Sequence, residues 1–117
     1  MGVTRGVGRE FVGECGGGGS GGVFAERVAA EVVGSRLSGY GSRTGCGSTV
    51  TYFWVRVYEH IPWWPDGERA VAGATYFQNG GLTARGSCDG RGDYYTHVST
   101  ATGASGESRE SLRNTIC

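Results

Sequence analysis

The chain has 117 residues and a mass of 12.3 kDa, and 38% of its residues are hydrophobic, which bounds it to one small domain with a thin core. Eleven arginines, with no lysine, balance eleven carboxylates, so the formal net charge is zero. A neutral chain with scattered arginines argues against binding to nucleic acid or to an acidic membrane surface, and no apolar run reaches the length of a membrane-spanning helix.

The first 35 residues are glycine-rich and are predicted to form a flexible arm. Fifteen of the 24 glycines precede residue 48, and glycine loses more backbone entropy on ordering than any other residue. Between Val23 and Val33, apolar residues recur at helical spacing, which predicts one short helix that must dock on the rest of the protein to persist. We therefore divide the chain into an arm, 1–35, disordered or carrying one short helix, and a folded domain, 36–117.

Alternating apolar and polar residues from Tyr40 onward predict five or six antiparallel strands. The predicted strands are 50–58, 70–77, 82–88, 94–101 and 108–116, with a sixth at 36–43. The segments between them are short, and the dipeptides Asp66-Gly67 and Asn79-Gly80 favour tight turns. Because short connections join neighbouring antiparallel strands, the predicted fold is an all-β antiparallel sandwich of Greek-key or meander topology.

The strand at 50–58 is the most hydrophobic segment of the chain. Phe53, Val55 and Val57 point to one of its faces, and an aromatic set that includes Trp54 points to the other. This pattern predicts a central strand buried on both faces, with Arg56 reaching solvent or a carboxylate partner.

Four cysteines in so short a chain predict disulfides, because small domains in oxidising surroundings often compensate for a thin core in this way. Cys88 and Cys117 are predicted to pair around the last two strands, a crosslink worth roughly 3–4 kcal/mol. The sequence does not decide whether Cys15 and Cys46 also form disulfides. The cysteines lack close CxxC spacing and neither histidine is near one in sequence, so no metal site is predicted.

Disulfides predict a secreted protein, although residues 1–30 do not show the basic start, apolar stretch and cleavage site of a signal peptide. One hypothesis that reconciles the two observations is a misassigned start or reading frame.

No motif organises the acids, bases and hydroxyls of the chain into an active site. The GxSxG, HExxH and phosphate-loop patterns are all missing from the sequence, so no catalytic residue and no cofactor is predicted. A small hydrolase that uses His97 as its base is kept as a third hypothesis.

The segment Pro62-Trp63-Trp64-Pro65 is the most distinctive on the chain. Adjacent side chains of an extended backbone face opposite ways, so both tryptophans cannot enter one core. Exposed tryptophan on a proline-stiffened loop offers a large contact area at little entropy cost. The alternative is that both tryptophans cover an open end of the sandwich.

The predicted contact surface therefore consists of Trp63 and Trp64 with the neighbouring Tyr58 and Asp66. We expect a secreted binding module whose ligand is a protein or a carbohydrate. The second hypothesis is a secreted proteinaceous inhibitor of a hydrolase, either a glycosidase or a protease, in which a rigid turn occupies the active site.

The tripeptide Arg91-Gly92-Asp93 matches the integrin-recognition sequence and is predicted to lie in an exposed turn. With so many glycines and arginines, chance explains the match. Tyr94 and Tyr95 follow it, and because they are adjacent we expect one in the core and the other on the surface.

The stretch TGCGSTVTYFWVRVYEHIPWWPDGERAVA, the later SCDGRGDYYTHVSTATGASGES and the terminal Cys117 resemble small uncharacterised secreted β proteins of high-GC Gram-positive bacteria that are crosslinked by disulfides. The resemblance covers about residues 36–117 and implies secretion and a β fold, with no assigned activity. A fainter similarity, the Gly-Cys before a TVT strand and the terminal cysteine, links the chain to tendamistat-type α-amylase inhibitors. Their Trp-Arg-Tyr inhibitory turn has no match here.

Overall fold

The computed structural model describes residues 13–14, 29–103 and 105–117, and all regular structure in these residues is β-strand. Two sheets pack against each other, so the predicted all-β sandwich is confirmed. The nine strands in these residues are β1 (Gly13–Glu14), β2 (Glu31–Val33), β3 (Arg36–Thr44), β4 (Val50–His60), β5 (Gly67–Phe77), β6 (Gly80–Gly86), β7 (Gly92–Thr102), β8 (Ser105–Glu110) and β9 (Asn114–Ile116).

In the first sheet, β3 lies between β6 and β2, and its end pairs in parallel with β1. In the second sheet the order is β5-β4-β7, and β8 and β9 follow each other along the outer edge of β7. The chain runs from β3 through β4 and β5 to β6, which pairs back with β3.

The core lies where β3 crosses β4 and β7. Phe53, Val55 and Val57 of β4 are fully buried, as is Val98 of β7. The two sheets approach closely at a glycine of β3, since a Cβ on Gly41 would lie 2.6 Å from Val98 Cγ2 and 3.0 Å from Val55 Cγ2. A side chain at this position would force the sheets apart.

The central position of β4 is confirmed, because it lies between β5 and β7. The prediction that both faces of β4 are buried is wrong, since Tyr52 on the outer face is exposed and Trp54 is only half-buried. The ring of Trp54 lies over the cross-strand Gly73. Arg56 stacks 5.0 Å from the centre of that ring and pairs with Glu68 at 3.0 Å, which confirms the expected carboxylate partner.

The single strand predicted at 108–116 is divided into β8 and β9. Residues 111–113 lie opposite two residues of β7, so one extra residue forms a β-bulge. Thr96 N donates to Ser111 Oγ at 2.9 Å, and Ser111 N donates to Thr96 O at 2.9 Å. A serine hydroxyl therefore replaces a backbone carbonyl of the ladder, which strand patterning does not predict.

The short helix predicted over Val23 to Val33 is wrong at its end, because Glu31–Val33 is strand β2. Positions 23–28 lie outside the described residues. The strand forms because two consecutive valines favour extended backbone and Gly34, with φ of 65°, allows a two-residue hairpin loop to β3. The sheet therefore includes residues on the N-terminal side of the predicted boundary at 35.

Gly86→Ala is expected to destabilise the protein, because β5 and β6 touch at this glycine. An added Cβ would lie 2.0 Å from the backbone oxygen of Arg69, and overpacking against backbone costs about 1–3 kcal/mol. Gly47→Ala is the matched control, since no atom lies within 4 Å of its Cβ position. Urea unfolding of both variants measures the difference, and equal midpoints would contradict the prediction.

Candidate functional site

The loop between β4 and β5 presents both tryptophans to solvent. Trp63 is 99% exposed and Trp64 is 73% exposed, so the alternative in which they cover an open end of the sandwich is wrong. Trp64 N donates to Ile61 O at 3.1 Å, which closes a four-residue turn. Pro62 occupies the second position of this turn and Trp63, with φ of 72°, occupies the third.

Proline followed by a residue of positive φ is the arrangement of a type II turn, in which glycine or asparagine normally occupies the third position. A bulky side chain in the left-handed region costs roughly 1–2 kcal/mol. Trp63 therefore occupies a strained position in which its side chain contributes almost no burial to the fold.

Asp66 holds the base of the loop. Its carboxylate accepts hydrogen bonds from the Tyr95 hydroxyl at 2.5 Å and from Ile61 N at 3.4 Å, and it lies 3.3 Å from His60 Nδ1. The hydrogen bond from Tyr95 lowers the pKa of Asp66 below its ordinary value, while burial and then the same bond raise the pKa of Tyr95. The tryptophans are thus carried on a fixed support.

Tyr58 and Asp66 are half-buried, in contrast to the exposed tryptophans. The Tyr58 ring stacks on Tyr95 with centroids 5.7 Å apart. Tyr95 is 7% exposed and Tyr94 is fully buried, so the expectation that one of the two tyrosines is on the surface is wrong. Tyr95 is buried because the loop residue Asp66 and the neighbouring ring cover its outer face.

Asp66→Asn is expected to destabilise the protein by about 1–2 kcal/mol at neutral pH, because a charged acceptor of two hydrogen bonds is lost. Since the pKa of Asp66 is lowered on folding, its contribution is present at neutral pH and is lost as the pH falls through the ordinary aspartate value of 3.8 and below. The difference in stability between wild type and variant should therefore shrink in acid.

Thermal melts of both proteins between pH 7 and pH 2 measure this difference. Asp89→Asn is the control, because the Asp89 carboxylate is exposed and its pair with Arg69 is a surface ion pair. A gap between wild type and Asp66→Asn that stays constant down to pH 2 would contradict the assignment.

An open depression lies beside the base of the loop. Residues 59–62 and 91–93 line this depression, and its volume is about 290 Å³. The register of the second sheet creates it, since His60 at the end of β4 pairs with Asp93 at the start of β7. The Arg91-Gly92-Asp93 tripeptide was expected in an exposed turn. Only Arg91 precedes the strand, because Gly92 and Asp93 belong to β7, so the prediction is wrong for these two residues.

Ion pairs, a hydrogen bond and a disulfide stabilise the chain segments next to the residues that line the depression. Arg69 contacts Glu59 at 3.2 Å and Asp89 at 2.8 Å. Tyr94 donates its hydroxyl hydrogen to Gly90 O at 2.7 Å. The predicted disulfide between Cys88 and Cys117 is confirmed, with Cα atoms 5.8 Å apart.

Cys46 is also disulfide-bonded, and Cys15 lies outside the described residues. The sulfurs of Cys46, Cys88 and Cys117 are therefore occupied and cannot act as thiolate nucleophiles.

His97, the base of the hydrolase hypothesis, lies on the outer face of the second sheet against the edge of Tyr58, with ring centroids 5.7 Å apart. Burial lowers its pKa, and its Nδ1 has no hydrogen-bond partner in the part of the chain that the structure describes. The same residues hold no group of three or more His, Cys, Asp or Glu side chains placed for a metal ion. The arrangement around the loop thus offers aromatic contact and hydrogen bonding.

Sequence reasoning located the tryptophans, whereas it did not find Tyr95, Arg91 or Asp93 as parts of the site. Their role depends on strand register, and the sequence carries no local signal for it. Among the described residues, no helix is long and apolar enough to span a membrane.

In comparisons with known proteins, no family model, no curated protein and no solved structure matches the chain. The resemblances drawn from the sequence stay predictions.

Proposed function

We propose that this protein is a small extracellular binding module that contacts its ligand through the Trp63-Trp64 loop. The observation that carries the proposal is Trp63, which is 99% exposed at a turn position with φ of 72°. A strained, solvent-exposed tryptophan lowers the stability of the fold, and a contact made outside the chain would offset this cost. Trp64 widens the same surface.

The support beneath the loop favours binding. Two prolines and the anchored Asp66 fix the loop before any partner arrives, so little conformational entropy is lost on association. Exposed tryptophans on such a support are the residues that most often dominate the energy of an interface.

Secretion is part of the proposal and is supported by the disulfide between Cys88 and Cys117. Both half-cystines are exposed, and solvent-accessible disulfides persist in oxidising compartments.

The test is a pull-down with insoluble cellulose, chitin and starch and with immobilised secreted proteins of the source organism. We expect saturable binding that weakens about 30-fold or more in Trp63→Ala/Trp64→Ala, the size of a hot-spot loss. Tyr52→Ala is the control, because Tyr52 is an exposed aromatic residue near the opposite end of β4 and does not have a positive φ. Binding that is equal in the double variant and in wild type would refute the proposal.

Trp63→Gly separates function from stability. Glycine adopts positive φ without strain, so this variant should be more stable than wild type by about 1 kcal/mol while it binds less well. A loss of both stability and binding would show that Trp63 is a structural residue.

A convex, fully exposed tip also fits a concave active site, and this favours a hydrolase inhibitor as the second candidate. In that case, sub-stoichiometric additions of the protein should reduce the turnover of an α-amylase or a serine protease in proportion, and Trp63→Ala should abolish the effect. Binding to a polysaccharide with no inhibition of either enzyme favours the binding module.

A further inference from the structure

We infer that the depression between residues 59–62 and 91–93 receives one sugar residue of a neutral carbohydrate, whose neighbouring residues contact the Trp63-Trp64 loop. This inference rests on the proposed function and specifies its ligand class. The depression adjoins the loop directly, because Ile61 and Pro62 form part of its wall and Trp63 follows them in the turn.

The size of the depression limits what can enter. Its volume of about 290 Å³ is at the lower end of the range for ligand pockets. One ring with its substituents fits such a space, whereas a helix or a strand of a partner protein does not. The wall offers the apolar surface of Ile61 and Pro62 on one side and polar groups on the other.

Both donors and acceptors face the depression. Arg91 is exposed and has no ion-pair or hydrogen-bond partner among the described side chains. Asp93 receives a hydrogen bond from Thr115 at Oδ1, at 2.5 Å, which leaves Oδ2 available. A guanidinium with several N–H donors and a carboxylate oxygen that accepts suit adjacent hydroxyl groups, since each hydroxyl donates once and accepts twice.

Gly92 keeps the space open between these two side chains. A Cβ at this position would lie 3.1 Å from Glu59 Oε2. The other oxygen of Glu59 already accepts from Arg69 Nε at 3.2 Å. The absence of a side chain at Gly92 therefore leaves Glu59 Oε2 reachable as a second acceptor.

The charges around the depression favour a neutral ligand. The depression carries charges of both signs, the carboxylates of Glu59 and Asp93 and the guanidinium of Arg91, so a ligand of either charge meets repulsion as well as attraction. A neutral sugar carries no charge to be repelled, and its C–H face can lie against an exposed indole ring.

Isothermal titration with defined probes tests the inference. The neutral probes are the hexaoses of the cellulose, starch, chitin, xylan and mannan series, and hexagalacturonate and an octa-arginine peptide represent the charged classes. We expect one neutral series to bind, with affinity reduced about tenfold by Arg91→Ala and by Gly92→Ala, the loss of one charge-assisted hydrogen bond. Arg85→Ala, which removes an exposed arginine of β6, should change nothing.

The outcomes separate the subsite from the proposed function. Neutral binding that depends on Trp63 and Trp64 but not on Arg91 or Gly92 overturns the subsite. Binding of hexagalacturonate, octa-arginine or a protein alone, still lost in the tryptophan double variant, overturns the carbohydrate assignment and leaves the binding module standing. No tryptophan-dependent binding to any probe or to the pull-down panel overturns both. Melting temperatures of Arg91→Ala and Gly92→Ala close to wild type show that a loss of binding is not a loss of fold.

Discussion

Replacement of Cys88 and Cys117 by serine is expected to lower the free energy of unfolding by about 3–4 kcal/mol and the melting temperature by roughly 15–25 °C. The two cysteines are 29 residues apart, and opening this loop returns conformational entropy to the unfolded chain. The effect is large because the core is thin and β9, which the bond holds, has three residues.

The loss of stability should begin at the depression beside the Trp63-Trp64 loop. Without the bond, β9 is held by its pairing with Gly92–Tyr94 and by a hydrogen bond from Asn114 Nδ2 to Ala30 O at 3.0 Å. Of its β7 partners, Gly92 and Asp93 line the depression. Amide hydrogen exchange should therefore increase first at 92–94, and binding should weaken before the global transition.

Thermal melts of the double serine variant with and without dithiothreitol provide the control. Any further decrease of the melting temperature in dithiothreitol is caused by reduction of the disulfide of Cys46. A melting temperature within about 3 °C of wild type would contradict the prediction. It would also remove the stability argument for an oxidising environment.

The parts of the fold that sequence could predict are those with local causes. The strand at 50–58 alternates with a period of two, and the dipeptides Asp66-Gly67 and Asn79-Gly80 favour turns, so the strand order along the chain follows from residues close together. The bulge at Ser111 has no such cause, because it depends on Thr96, which is 15 residues away. The predicted helix is wrong at Glu31–Val33 because the consecutive valines before Gly34 extend into a hairpin instead.

The candidate site divides in the same way. Tryptophans between two prolines are visible in the sequence as an exposed, stiff segment, whereas the positive φ of Trp63 requires coordinates. Tyr95 reaches Asp66 across 29 residues, and the wall at 91–93 exists because β7 pairs with β4 in one register. A shift of one residue would turn those side chains to the other face of the sheet.

Arg43 illustrates how little a residue type reveals about its role. It is one of eleven arginines and is fully buried on β3. Its Nη1 donates to Gln78 O at 2.7 Å, Phe77 O at 3.0 Å and Ser48 O at 3.4 Å. Burial lowers its pKa, and the carboxylate of Glu107 opposes that shift. The guanidinium thus joins the β5–β6 turn and the loop before β4 to the end of β3.

Arg43→Leu is therefore expected to destabilise the protein by about 3 kcal/mol or more, because the carbonyls of Phe77 and Gln78 lose a charged donor inside the fold. Arg43→Lys should fall between leucine and wild type, since an ammonium keeps the charge but lacks the planar fork that reaches several carbonyls. Arg85→Leu, an exposed position on β6, should stay within about 0.5 kcal/mol.

Urea unfolding monitored by tryptophan fluorescence orders these variants. The expected order of midpoints is Arg85→Leu, Arg43→Lys and then Arg43→Leu, from most to least stable. Apolar replacements of buried charges sometimes stabilise a protein, because the cost of removing the charge from water disappears. An Arg43→Leu midpoint at or above that of wild type would show that this cost exceeds the hydrogen bonds of Arg43, and that packing alone holds the β5–β6 turn.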